Sequence, residues 1–116
     1  MKIALIGYGK MGHAIEEIAI QRGHEIVMRI GTANKDEMTR DNLQHADVAI
    51  EFTRPEAARE NVIECLEAGV PVICGTTGWN EGLAAAKLKA TQHNTAFLQA
   101  SNFSIGVNMK LLVQRI

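Results

Sequence analysis

Apolar residues along this chain fall into short unbroken runs separated by longer stretches with helical spacing. Ile3-Ala4-Leu5-Ile6 is such a run, as expected of a parallel strand covered on both faces. From about Lys10 to Gln21, Met11, Ile15, Ile18 and Ala19 recur at i, i+4, i+7 and i+8, which makes one buried helical face. Glu16, Glu17 and Arg22 fall on the wet side, and Gly23 is a C-terminal stop. Glu25 to Ile30 is a second strand, Asp36 to Ala46 an irregular segment or short helix, and Asp47 to Phe52 a third strand. Pro55 suits the first position of a helix that runs to about Ala68, with Ala58, Val62, Cys65 and Leu66 inward and Gly69 at its end. Val70 to Cys74 is a fourth strand. Asn80 is placed to cap a helix to about His93 that carries Leu83, Ala84 and Leu88 inward, with Lys87 and Lys89 outward. Thr95 to Leu98 is a fifth strand, and a last helix starts at Ser104 with Met109, Leu112, Val113 and Ile116 on one stripe. Strands and helices that alternate in this way predict an α/β, Rossmann-like doubly wound parallel sheet of about five strands with helices on both faces.

The chain's 116 residues suffice for one domain with a modest core. A net charge of −1 supplies no basic field for nucleic acid and no polybasic membrane patch. No apolar run approaches a membrane span, and the N-terminus enters a strand directly with no signal-peptide pattern. Cys65 and Cys74 fall on a helix and at a strand end, which suggests reduced thiols and a cytoplasmic protein. Neither belongs to a metal-ligand grouping, so no metal is expected.

Chemistry concentrates where strands end. Gly7-Tyr8-Gly9-Lys10-Met11-Gly12 lies between the first strand and the first helix, the context that makes GxGxxG a dinucleotide-binding hypothesis. The first glycine permits the tight turn, the second lets the backbone approach a pyrophosphate, and the third lets helix and strand pack closely. The N–H groups of the first helical turn and the helix dipole favour the phosphate charge. The acid that would hold an NAD 2′-hydroxyl is absent between Ile30 and Lys35. Gly31-Thr32-Ala33-Asn34-Lys35 instead tolerates a 2′-phosphate, with Lys35 or Arg29 to attract it, so the reading leans to NADPH or dual use. Thr53 ends the third strand and Gly75-Thr76-Thr77-Gly78 the fourth, a hydrogen-bonding ledge on the same rim. Trp79 either caps that ledge or simply packs. Ala100-Ser101-Asn102-Phe103 follows the fifth strand; Ser101 and Asn102 suit a carboxamide and Phe103 a flat ring. Cys74 has no base nearby in sequence and is not read as a nucleophile. His13 is read as a phosphate contact or a solvent-facing side chain; His24 and His45 are read as exposed loop residues, and His93 as a residue that suits the dipole at a helix C-terminus and needs no function.

Four segments in series resemble the N-terminal half of the 4-hydroxy-tetrahydrodipicolinate reductase (dihydrodipicolinate reductase) family. They are Gly7 to Gly12, Glu51-Phe52-Thr53-Arg54-Pro55-Glu56, Val72-Ile73-Cys74-Gly75-Thr76-Thr77-Gly78, and Ala100-Ser101-Asn102-Phe103-Ser104-Ile105-Gly106-Val107-Asn108. The resemblance implies hydride transfer from NADPH or NADH to a small cyclic imine dicarboxylate, in lysine and diaminopimelate biosynthesis. It implies that Gly7, Tyr8, Gly9, Lys10, Met11 and Gly12 hold the pyrophosphate, and that Gly31 and Thr32 occupy the ribose and 2′-phosphate positions. Gly75, Thr76 and Thr77, with Ala100, Ser101, Asn102 and Phe103, would seat the nicotinamide end. The family often has an acidic residue in place of Gly31 and a basic one in place of Thr32.

The family's proton-donating histidine pair, its lysine and its substrate-binding segment have no counterpart in these 116 residues. Residues 1–103 are therefore expected to be the dinucleotide-binding domain, and 104–116 the start of a helix leading to a catalytic domain. No catalytic residue is assigned, and homo-oligomer formation (a tetramer in the family) is expected only with that domain. Two other readings remain: a stand-alone NAD(P)-binding or sensing module without catalysis, and another GxGxMG reductase.

Overall fold

The structure is a computed structural model and describes residues 1–100. Five parallel strands form one sheet: β1 (Lys2–Ile6), β2 (Glu25–Ile30), β3 (Val48–Glu51), β4 (Val72–Cys74) and β5 (Phe97–Gln99), in the spatial order β2-β1-β3-β4-β5. The helices are α1 (Lys10–Gln21), α2 (Arg40–Leu43), α3 (Pro55–Glu67) and α4 (Leu83–Gln92). The α/β doubly wound sheet inferred from the hydrophobic pattern is the fold observed. The predicted last helix and residues Ser101, Asn102 and Phe103 lie outside the described residues.

Strand alternation divides the core into two layers. Ile3 and Leu5 of β1, with Val48 and Ile50 of β3, pack with Ile15 and Ala19 of α1 on one face. Ala4, Ile6 and Ala49 face the other way, towards Ala58, Val62, Cys65 and Leu66 of α3 and Ala86 and Ala90 of α4. The same alternation turns Glu51 towards α3, where it is fully buried. A carboxylate thus continues a stripe that is otherwise apolar.

One stretch departs from the sequence reading, and another matches it in form but adds to the core. Asn80 does not cap α4: Asn80–Gly82 form a 3-10 turn packed over the Trp79 ring, and α4 begins at Leu83 without a side-chain cap. The inward stripe of α4 is Leu83, Ala86 and Ala90, whereas Ala84 is exposed and Leu88 is 58% exposed. Small residues at i+3 and i+7 allow α4 to lie close against its neighbours, and the larger Leu88 falls outside that contact. The segment after β2 carries more core than its polarity suggests. It folds as a 3-10 turn (Lys35–Glu37) and α2, with Thr39 Oγ1 accepting from the Asn42 N–H at 3.2 Å, and it buries Met38 and Leu43.

Candidate functional site

The sheet ladder continues past every strand end. The Gly7 N–H donates to Ile30 O at 2.8 Å, Phe52 N–H to Ile6 O at 2.7 Å, Gly75 N–H to Glu51 O at 2.8 Å, and Ala100 N–H to Cys74 O at 2.8 Å. Four loops are thereby held in one row along the carboxyl rim. The winding direction reverses between β1 and β3, and a crevice outside such a point is where open α/β sheets take ligands. A cleft of about 720 Å³ opens there. Gly7, Tyr8 and Gly9 line it from the glycine loop, Gly31, Thr32, Ala33 and Lys35 from the β2 end, and Thr53, Arg54, Ala57 and Asn61 from the β3 end and α3.

The three motif glycines differ in what surrounds them. Gly7 has φ +109°, and a Cβ there would stand 2.0 Å from Phe52 O. A Cβ on Gly12 would stand 2.5 Å from Gly7 O. Both are required by the fold itself. Gly9 has an ordinary φ of −92°, is exposed, and would meet nothing within 4 Å. The space above it is open, and α1 beyond it has no side-chain cap, which leaves first-turn N–H groups for a ligand. Lys10 is exposed at that turn, whereas Gly12 is buried and Met11 packs with Phe52, Ile73 and Ala100 beneath the rim.

Beside the loop, the Tyr8 hydroxyl donates to Glu16 Oε2 at 2.7 Å, and Arg29 pairs with Glu16 Oε1 while lying 5.9 Å over the Tyr8 ring. Glu16 is therefore tied down rather than simply solvated. The bond from Tyr8, then Arg29, holds its carboxyl below the usual range, and the same bond to Glu16 raises the Tyr8 phenol. His13 is exposed and stacks on Tyr8 at 3.9 Å; its Nδ1 faces Gly9 O at 2.8 Å, so Nδ1 carries the proton. Arg29, one of the two cations expected to attract a 2′-phosphate, is thus engaged with Glu16. Lys35 stands on the cleft wall, where it donates to Asn61 Oδ1 and to Met38 Sδ at 3.4 Å. Asn34 shapes the intervening turn, accepting from Gly31 N–H at 2.6 Å and donating to Arg29 O at 2.8 Å.

The GTTG turn differs from a simple ledge of two hydroxyls. Thr76 is buried; its Oγ1 donates to Glu51 Oε1 at 2.6 Å and accepts from Thr53 N–H at 2.8 Å. Its carbonyl accepts from Trp79 Nε1 at 2.7 Å and Gln99 Nε2 at 2.8 Å. Thr77 is the exposed hydroxyl of the pair. Trp79 is buried beneath the turn, edge-on to Phe97. Cys74 is buried and donates to Glu51 Oε1 at 3.3 Å; burial first, then the Glu51 charge, pushes its thiol far up. An unactivated thiol agrees with the reading of Cys74 as no nucleophile.

Sequence reasoning gave no role to Glu51 or Asn61. Glu51 Oε2 accepts from Asn61 Nδ2 at 3.1 Å and from the Thr53 hydroxyl. The available signal was positional: Glu51 is the one charge within Val48–Glu51, and Asn61 interrupts the apolar positions Ala58, Val62 and Cys65 of α3. Among the described residues no three of His, Cys, Asp and Glu gather into a metal site, and no helix is long and apolar enough to cross a membrane.

Comparison with solved structures finds the same fold in a Mycobacterium tuberculosis 3-hydroxyisobutyrate dehydrogenase (TM-score 0.66, 19% identity, covering 86% of this chain and 40% of that one). A Streptomyces aurantiacus imine reductase gives a TM-score of 0.64 at 19% identity, covering 85% of this chain and 40% of that one. Two relatives carry the name 4-hydroxy-tetrahydrodipicolinate reductase. The protein of Christiangramia forsetii is 43% identical over 94% of this chain and 45% of its own length, and that of Natronomonas pharaonis 40% identical over 97% and 49%. The chain thus spans about half the length of the curated relatives it matches. Residues 1–103 match the family described as "Dihydrodipicolinate reductase, N-terminus", and the chain belongs to that family.

Proposed function

We propose that the chain binds a nicotinamide dinucleotide along its carboxyl rim and forms the cofactor half of a reductase acting on a cyclic imine dicarboxylate. The observation that carries this reading is Gly9. The fold demands Gly7 and Gly12, but a side chain at Gly9 would meet open space. A glycine there is explained by a ligand that must approach the backbone closely.

The pyrophosphate lies against Gly9 and the first turn of α1, near Lys10. The adenosine ribose enters the cleft at Gly31 and Thr32. The nicotinamide end follows Gly75, Thr77 and Ala100 towards Ser101, Asn102 and Phe103, and Thr76 shapes the turn from within. The preferred form is NADPH: Lys35 and Arg54 line the cleft, and none of the residues lining it is acidic. The dinucleotide, when bound, supplies the hydride; these residues bind and orient it. Residues 1–103 are the cofactor domain and 104–116 lead towards a substrate domain. Proton donation and recognition of the substrate carboxylates belong to sequence beyond these residues, a division supported by relatives of about twice this length. These 116 residues alone are not expected to turn over substrate.

Calorimetric titration of the chain with NADPH and NADH tests the reading. Saturable binding, tighter for NADPH, is expected at micromolar to millimolar concentration. A chain that melts cooperatively yet takes up neither dinucleotide refutes it.

A further inference from the structure

Lys35 and Arg29 stand at the same end of the sheet, and their surroundings are opposite. Arg29 is paired directly with the Glu16 carboxylate. Lys35 donates to two neutral groups, the Asn61 carbonyl oxygen and the Met38 sulfur, and the Glu64 carboxylate lies near enough for the two charges to interact without forming an ion pair. Neither ion pair found among the described residues includes Lys35.

The orientation of Asn61 explains why a neutral oxygen meets Lys35. Asn61 is buried on α3, and its Nδ2 donates to Glu51 Oε2 at 3.1 Å. Glu51 accepts from Thr53, Cys74 and Thr76 as well, so it meets Asn61 as an acceptor, and the amide turns its NH₂ inward and its oxygen towards the cleft. Glu51 is itself fixed by Thr76 and Thr53. The chain of contacts runs from a fully buried carboxylate, through one amide, to an ammonium on the cleft wall. An ammonium has three hydrogens to donate, and two of these are engaged. A carboxylate in place of the amide would add a negative charge in direct contact with the cation, beyond that of nearby Glu64, and repel a phosphate; the carbonyl oxygen holds the ammonium in place without adding one.

We propose that Asn61 is a positioning residue which, aligned by buried Glu51, holds the Lys35 ammonium at the cleft wall and so sets the preference of the site for a 2′-phosphorylated dinucleotide. This rests on the cofactor reading above and adds the groups that decide between its two forms.

The test compares dissociation constants for NADPH and NADH in the wild type, K35M and N61D, with 2′,5′-ADP as a second probe and thermal melting as the check on folding. K35M is expected to weaken NADPH and 2′,5′-ADP by about tenfold to hundredfold, as for loss of one charge-assisted contact. NADH should change by less than about threefold, within the spread of a lost neutral contact. N61D, which sets a carboxylate beside Lys35, should act in the same direction on the same ligands. Should the extra charge beside Glu51 unfold N61D, N61A serves instead. It leaves Lys35 unanchored and should again weaken NADPH selectively. A purely structural role for Asn61 would weaken both dinucleotides together. A NADPH-to-NADH ratio within about twofold of wild type, in folded K35M or a folded Asn61 variant, overturns the proposal. A wild-type chain that binds neither dinucleotide overturns instead the reading on which the proposal rests.

Discussion

Replacing Gly9 by alanine separates a glycine kept for a ligand from one kept for the fold. Gly9 has φ −92° and ψ −149°, which alanine can adopt, and its added methyl meets nothing within 4 Å. Two small terms then act on stability. Fewer unfolded conformations favour G9A by about 0.4–1 kcal/mol. Alanine is a poorer N-cap than glycine, which costs about 0.5–1 kcal/mol at the start of α1. They nearly offset, so stability should stay within about 1 kcal/mol of wild type, or about 4–8 °C in Tm for a domain of this size. Binding should respond differently. The methyl occupies the space a pyrophosphate needs, and losing one or two charge-assisted contacts of about 1.5–3 kcal/mol each weakens binding by at least about tenfold. G7A is the contrast. Its methyl would stand 2.0 Å from Phe52 O at φ +109°, so it should lose the cooperative melt altogether. The assay is thermal unfolding beside calorimetric titration with NADPH. A folded G9A that binds within about threefold of wild type would show that nothing approaches Gly9 closely. A G9A that no longer folds would show that the space above the loop is not open.

Three further outcomes follow from the titrating groups. Tyr8 is the only tyrosine, so its ultraviolet titration reports one phenol. Its midpoint should lie above 10.0 and fall in E16Q, which removes the hydrogen bond to the carboxylate; a midpoint unmoved by E16Q refutes the Glu16 contact. Glu16 itself is held below its ordinary value of 4.5, so its contribution to stability is present above that pH and is lost as pH falls through the lowered folded value. That acid-side loss should be smaller in E16Q, as followed by Tm against pH. Cys65 and Cys74 are fully buried, and burial pushes the Cys65 thiol up to about 12. At pH 8 about one Cys65 in ten thousand is thiolate, so neither thiol should react with an aromatic disulfide until denaturant is added. Prompt reaction of one equivalent in the native protein would mean that one of the two thiols is exposed and activated.

The fold was legible because each strand is either a continuous apolar run or a clean alternation, and each long helix between them carries a periodic stripe. Ile3 to Ile6 and Val48 to Ile50 are buried on both faces, and only a sheet covered on both sides accepts such runs. Legibility failed where periodicity was weak. Over Leu83–Gln92, alanines and leucines fit several stripes, and the one chosen by packing, Leu83, Ala86 and Ala90, depends on how closely α4 can lie. Asn80 looked like a cap, but the ring of Trp79 beneath Gly82 draws the first turn into a 3-10 conformation.

The rim was legible as a place and not as a division of labour. Loops after parallel strands must lie at one edge, so the glycine loop, Thr53, the GTTG turn and Ala100 were bound to meet there, and the continued ladder holds them in a row. Which polar groups face outward is a different question. Thr76 and Thr77 are the same residue type side by side, yet one is buried against Glu51 and the other exposed. Arg29 and Lys35 are both cations near the end of β2, yet one is paired with a carboxylate and the other held by an amide. In both pairs the outcome turns on a carboxylate, Glu51 or Glu16, distant in sequence and brought near by strand order. Burying Glu51 is tolerable only because Thr53, Asn61, Cys74 and Thr76 all donate to it. Satisfying that one carboxylate therefore fixes which hydroxyl is drawn inward, which amide face meets the cleft and which cation stands on its wall. A single charge inside an apolar strand decides the polarity of the cleft above it, and it does so through contacts that no local pattern encodes.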